Sequence, residues 1–146
     1  MKWSVARKFE LDRARYEEAI VIRCIRIWTS ADGGSKFEEG SLSLPGGKEG
    51  DAIGKIFSAA SISFRETTPK DALAWHDAPT HQLVLTLGGT LEFETRDGET
   101  FIIRPGDVLL AEDTTGSGHR WRVIGDDPWR RAYVILPEGL EAGFTN

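Results

Sequence analysis

The sequence predicts an all-β domain, a sandwich or a barrel. Three observations lead there. Short segments rich in β-branched residues, or alternating apolar and polar, recur from residue 20 to residue 136. Turn sequences separate them at short intervals, Asp97-Gly98 being a strong hairpin signal. No long segment beyond residue 19 has a clear 3.6-residue period, and no internal repeat, linker or low-complexity tract divides the chain.

The elements follow in order. Over residues 1–19, Trp3, Val5, Phe9, Leu11 and Tyr16 are spread among charges, and the part from Leu11 to Ala19 holds good helix formers without Gly or Pro. This segment is either a short helix or an extended arm laid along the barrel or a partner subunit; the barrel domain occupies 20–146. Ile20–Ser30 reads as a strand, bounded by Ala31-Asp32-Gly33-Gly34. Residues 31–54, rich in Gly, Ser and Pro, read as loop with one brief strand at Leu42–Leu44. Lys55–Arg65 alternates well and ends at Thr68-Pro69-Lys70-Asp71. Further strands are predicted at His81–Leu87, Thr90–Thr95, Thr100–Ile103, Val108–Ala111, His119–Ile124 and Ala132–Leu136, the last stopped by Pro137.

Composition narrows the function. The chain of 146 residues is long enough for one core, and its formal net charge of −5 argues against broad nucleic-acid binding, which needs a Lys/Arg surplus. A local group, Arg120, Arg122, Arg130 and Arg131, reads as a solvated strand face and loop rather than an anion site. The single cysteine excludes an intramolecular disulfide, and Cys24 among Ile22, Ile25 and Ile27 reads as a buried structural thiol. No secretory signal and no apolar run long enough to cross a membrane is present, so the expectation is a cytoplasmic protein without a membrane partner.

The stretch WHDAPTHQLVLTLGGTLEF, Trp75 to Phe93, together with EDTTGSGH, Glu112 to His119, resembles the two motifs of the cupins, and more narrowly a subgroup of small bacterial cupins without a settled activity. His76 matches the first motif's leading histidine, Gln82 stands where its glutamate would be, and Gly89 falls at the right distance. Ala78 occupies the second histidine position. Pro105-Gly106-Asp107 opens the second motif, His119 matches its histidine, and its final asparagine falls on Val123. The resemblance implies a cupin-like double-stranded β-helix, or jelly-roll barrel, whose motif residues point inward and hold a divalent metal, Fe, Mn, Ni or Zn.

Strand geometry supplies an independent reading. Period two puts Gln82, Val84 and Thr86 on one face and His81, Leu83, Leu85 and Leu87 on the other. On the later strand His119, Trp121 and Val123 share a face, and Arg120 and Arg122 point away. The candidate metal ligands are His76, Gln82 and His119; Trp121, Val84 and Thr86 join Gln82 as candidate substrate-binding residues. Glu112 is the candidate catalytic acid/base, and Glu112 or Asp113 would supply the missing carboxylate of a two-histidine, one-carboxylate set. His81 reads as a surface or interface residue.

Two functions follow. One is a metal-dependent enzyme, an oxygenase, isomerase or lyase, acting on a small organic substrate. The other is a non-catalytic small-molecule-binding module with no metal or a weakly held one, in which the histidines and Gln82 hydrogen-bond the ligand. A homodimer is expected from the apolar N-terminal segment and the leucine-rich outer strand face.

Overall fold

A computed structural model describes residues 21–146; the arm or helix expected over residues 1–19 lies outside the described residues. In chain order the strands are β1 (Ile22–Thr29), β2 (Ser35–Leu42), β3 (Gly46–Lys48), β4 (Asp51–Ile53), β5 (Ser61–Thr67), β6 (Ala72–His76), β7 (Gln82–Gly88), β8 (Thr90–Thr95), β9 (Thr100–Ile103), β10 (Val108–Glu112), β11 (His119–Ile124), β12 (Trp129–Ile135) and β13 (Phe144–Thr145). A seven-stranded sheet runs β13-β2-β1-β10-β7-β12-β5, a four-stranded sheet runs β6-β11-β8-β9, and β3 and β4 form a separate hairpin. Among the described residues there is no helix. This is the all-β, cupin-like jelly roll that the motifs imply.

The inner faces of the two main sheets share one core. Ile25, Ile27, Val84, Leu109 and Trp129 of the large sheet meet Leu91, Phe93, Phe101, Ile103 and Val123 of the small one. Phe93 and Phe101 stack with ring centroids 5.0 Å apart. A second cluster covers the outer face of the large sheet, where Cys24, Leu83, Val108 and Leu110 pack with Leu136 and Ala142 of the C-terminal segment. Burial on both faces explains why β10 reads as a near-continuous apolar run rather than as alternation. Cys24 is fully buried, and burial pushes its thiol up to about 12.

Several elements depart from the sequence reading. The region 31–54 contains an eight-residue strand, β2, paired residue by residue with β1 from Ile22↔Leu42 to Thr29↔Ser35, whereas the brief strand expected at Leu42–Leu44 is only its last residue. Its sequence, SKFEEGSL, has weak strand propensity; the partner strand imposes the conformation. The strand expected over Lys55–Arg65 begins at Ser61 and continues to Thr67. Its apolar face is the outward one: Ile62 and Phe64 are exposed, and Ser63 and Arg65, also solvent-accessible, line the cavity between the sheets. The short strand β6 was not anticipated. It is added by pairing with β11, where His76 lies opposite His119. The leucine face of β7 is covered in part: Leu83 is buried under the C-terminal segment, and Leu87 is exposed.

One glycine is required by that pairing. Gly118 has φ +72°, and a Cβ at this position would collide with the backbone carbonyl of His76. Gly118→Ala is therefore expected to cost at least about 1–3 kcal/mol of stability, the range for a non-glycine residue held in this conformation. Urea unfolding reads this directly, and an unchanged midpoint would contradict the close approach of β6 to β11.

Candidate functional site

Between the two sheets lies a cavity of about 350 Å³, at the lower end of the range for small-molecule sites. Its walls come from both sheets. The small sheet contributes His76, Phe93, His119 and Trp121; the large sheet contributes Arg65, Gln82, Val84, Trp129, Arg131 and Tyr133. Alternation explains the choice. Gln82 and Val84 are 6% and 4% exposed and point inward from β7.

The two histidines are cross-strand partners, their ring centroids 4.6 Å apart at an interplanar angle of 63°. Each has a partner at Nδ1. His76 Nδ1 donates to the carbonyl oxygen of Ala74 at 2.8 Å. His119 Nδ1 donates to Asp113 Oδ2 at 2.5 Å, and the same oxygen accepts Ser35 Oγ at 2.7 Å. With Nδ1 committed, the neutral imidazole carries its lone pair on Nε2. Both rings therefore offer an acceptor nitrogen, each in a tautomer fixed by its Nδ1 partner. Burial lowers the His76 pKa from its ordinary value; the Ala74 bond opposes this, and the neighbouring His119 adds to it.

The sequence-predicted residues separate into two groups. His76, His119, Gln82, Val84 and Trp121 come together on the cavity wall. Thr86 is buried behind it, where its hydroxyl accepts the indole N–H of Trp129 at 3.2 Å; it positions the wall instead of lining it. Glu112 is not on the cavity. It ends β10 with the parity opposite to Leu109 and Ala111, and it faces Arg26, with Arg26 Nε donating to Oε1 at 2.5 Å. Its Oε2 lies 3.2 Å from His81 Nε2, an ion-pair distance without hydrogen-bond alignment. The carboxylate beside the histidines is Asp113, fully buried and placed behind the His119 ring.

The donor set was compared with the needs of a divalent ion. It offers two imidazole nitrogens and the neutral amide of Gln82. The adjacent Asp113 carboxylate binds Ser35 and the far side of the His119 ring through Oδ2, has Oδ1 without a partner, and does not line the cavity; no three His, Cys, Asp or Glu side chains converge among the described residues. An anionic donor is lacking, so the set does not match a resident divalent-metal site.

Among the cavity residues outside the sequence-predicted set, the polar ones of the large sheet stand out. Ser63 and Arg65 enter from β5, Arg131 and Tyr133 from β12. The signal was present in the sequence. Arg130 and Arg131 are consecutive in a strand and cannot both lie on the solvated face. Arg130 pairs outside with Glu66 at 2.8 Å, as Arg120 pairs with Glu94 at 2.7 Å and Arg122 with Glu92 at 3.0 Å. Arg131 is 3% exposed and belongs to the interior.

The lowered His76 pKa has a definite sign. The unfolded chain takes up the proton first as pH falls below about 6.5, so the folded state loses stability relative to its neutral-pH value in that range. The His76 ring resonances are expected to titrate with a midpoint below about 6.5 in the folded protein. A midpoint at or above the free-imidazole value would contradict the burial.

Residues 59–143, more than half of the chain, match the model of the AraC-like ligand binding domain family. No curated protein matches. Among solved structures, the chain is similar to a DUF861 family protein from Thermotoga maritima, at 23% identity and TM-score 0.43 over 51% of this chain and 77% of that one. A cupin-like protein from the same organism has 17% identity and TM-score 0.43 over 51% and 55% of the two chains. A conserved protein with a double-stranded β-helix domain from Klebsiella pneumoniae has 22% identity and TM-score 0.43 over 57% and 70%. With a jelly-roll barrel around an internal cavity and a family match over most of that barrel, the chain belongs to the AraC-like ligand binding domain family.

Proposed function

We propose that the protein binds a small organic molecule in the cavity between its sheets, without a resident metal, and that His119 is the group that engages the ligand's polar end. The observation that carries this reading is the buried Asp113–His119 pair. A carboxylate with no exposure holds the imidazole by Nδ1 and leaves Nε2 to the cavity. In that arrangement Nε2 accepts a hydrogen bond from a ligand hydroxyl. If it takes the proton, the carboxylate stabilises the resulting imidazolium. His76, biased to its neutral form by burial, provides a second acceptor beside it. The amide of Gln82 makes no hydrogen bond to the described residues and is available to the ligand as donor or acceptor. Phe93, Trp121 and Trp129 form an aromatic wall for an apolar body, with Trp121 and Trp129 in edge contact at 4.8 Å.

Two measurements test this. Elemental analysis of protein purified without a metal-affinity tag is expected to give far less than one divalent metal per chain, with no change in a His76→Ala, His119→Ala double variant. Stoichiometric metal lost in that variant would replace this reading with a metal-dependent enzyme using His76, His119 and Gln82. In a thermal-shift screen of small metabolites, hits are expected to lose their stabilising effect in His119→Ala.

Asp113→Ala is expected to destabilise the protein by about 1–3 kcal/mol for each buried group left without its partner, here the His119 Nδ1–H and the Ser35 hydroxyl. Asp113→Asn keeps the volume and removes the charge, so it should fold better than Asp113→Ala yet weaken ligand binding. Full affinity in Asp113→Asn would remove the carboxylate from the site's function.

A further inference from the structure

The outer face of the barrel has a consistent charge pattern. Arg26, Arg120, Arg122 and Arg130 lie directly across a strand pair from Glu38, Glu94, Glu92 and Glu66, and each pairs with that glutamate. The inner face breaks the pattern. There Arg131 of β12 lies directly across from Arg65 of β5, and both line the cavity. Like charges directly opposite one another on one face are destabilising.

Among the described residues, neither arginine has an anionic partner. Arg131 is 3% exposed, yet its partners are all uncharged: Nε donates to Tyr133 Oη at 3.1 Å, and Nη1 donates to Thr67 Oγ1 at 2.7 Å and to the Trp129 carbonyl at 3.2 Å. Its guanidinium lies over the Trp129 ring with Cζ 3.6 Å from the centroid. The two N–H groups of Nη2 have no acceptor among the described residues. Arg65 extends over the Tyr133 ring at 5.2 Å and forms no ion pair with any described residue. A buried cation is normally paired with an anion. Here the neutral bonds fix the guanidinium's plane and leave one of its nitrogens to the cavity.

We propose that Arg131 and Arg65 form the anion-binding end of the cavity, and that the ligand is a small organic carboxylate. A carboxylate placed there would accept from Nη2 of Arg131 and from Arg65, and would cancel the repulsion between them. The aromatic wall of Trp129 and Phe93 separates this end from the histidines: the Phe93 ring lies 6.4 Å from Trp129 and 5.7 Å from His119. The ligand thus carries its carboxylate at one end and a hydroxyl at the other, with an apolar body between. A carboxylate is favoured over a phosphate ester because the polar groups at this end are two monovalent cations sharing a face with the neutral Tyr133, Thr67 and Ser63, sufficient for one negative charge. This inference rests on the cavity being the ligand site, as proposed above.

The test is a matched-pair screen of short aliphatic and aromatic hydroxy acids, each run beside its primary amide, by calorimetry and thermal shift. Carboxylates are expected to bind more tightly than their amides by about tenfold or more, the worth of a charge-assisted hydrogen bond. Arg131→Gln is expected to abolish that preference. Because Arg131 is buried and its loss can impair folding, Arg65→Gln, at an exposed position, serves as the second variant, and it should weaken acids several-fold more than their amides. Amides binding as well as acids, or acids binding equally to Arg65→Gln and wild type, would overturn the anion site while leaving the cavity as a ligand site. Absence of binding by either series would count against both the anion site and the cavity. Inorganic phosphate displacing the acids at equal concentration would overturn the choice of carboxylate.

Discussion

A single buried carboxylate joins the two sheets where the site is built. Asp113 follows β10 of the large sheet, and its Oδ2 receives Ser35 Oγ from the start of β2 and His119 Nδ1 from the start of β11. Its backbone carbonyl accepts the N–H of Ala78, just past β6. Three segments distant in sequence, those of Ser35, Ala78 and Asp113–His119, thus meet at one residue with no solvent exposure. The arrangement has a cost, because Asp113 Oδ1 has no hydrogen-bond partner and a buried carboxylate is strongly disfavoured unless compensated. Groups held under such constraint are commonly retained for position rather than for stability. Here the constraint fixes which nitrogen of His119 faces the cavity.

The same mouth of the barrel depends on close backbone approach. Gly118 lets β11 come against His76, and the in-register pairing then puts two imidazoles side by side. Ala78, standing where the related motif carries a second histidine, is 3% exposed and leaves that part of the wall small and apolar. The site therefore has directed acceptors at one end, an aromatic middle, and cationic donors at the other. Under the proposed reading, such a cavity would orient an elongated polar-ended molecule, because the aromatic middle cannot satisfy either polar terminus.

Charge is sorted by strand parity. Outward arginines have glutamates opposite them and are solvated, where such pairs contribute little to stability. The inward pair, Arg131 and Arg65, has no such glutamate opposite it, and the two face each other across the strand pair. Burial of the guanidinium, with Arg65 beside it, lowers the Arg131 pKa from its usual value, which reflects the unfavourable placement of two cations in one wall. A net charge of −5 over the chain is therefore compatible with a cationic interior.

Much of the fold was legible in the sequence because local signals and tertiary demands agree there. Thr90–Thr95, Thr100–Ile103 and His119–Ile124 occur as read, their alternation and the Asp97-Gly98 turn both matching a half-buried antiparallel sheet. The inward set His76, Gln82, Val84, His119 and Trp121 was also legible, since it needed only motif spacing and period two. By itself the sequence determined the fold class, the strand parities and the identity of the facing histidines. The tertiary structure decided the rest. It made a strand of SKFEEGSL by pairing it with β1, put Asp113 rather than Glu112 behind His119, and set Arg131 against Arg65. These features depend on which strand lies beside which, and on where a turn brings a side chain back. Contacts between segments far apart in the chain leave no local periodicity from which to read them.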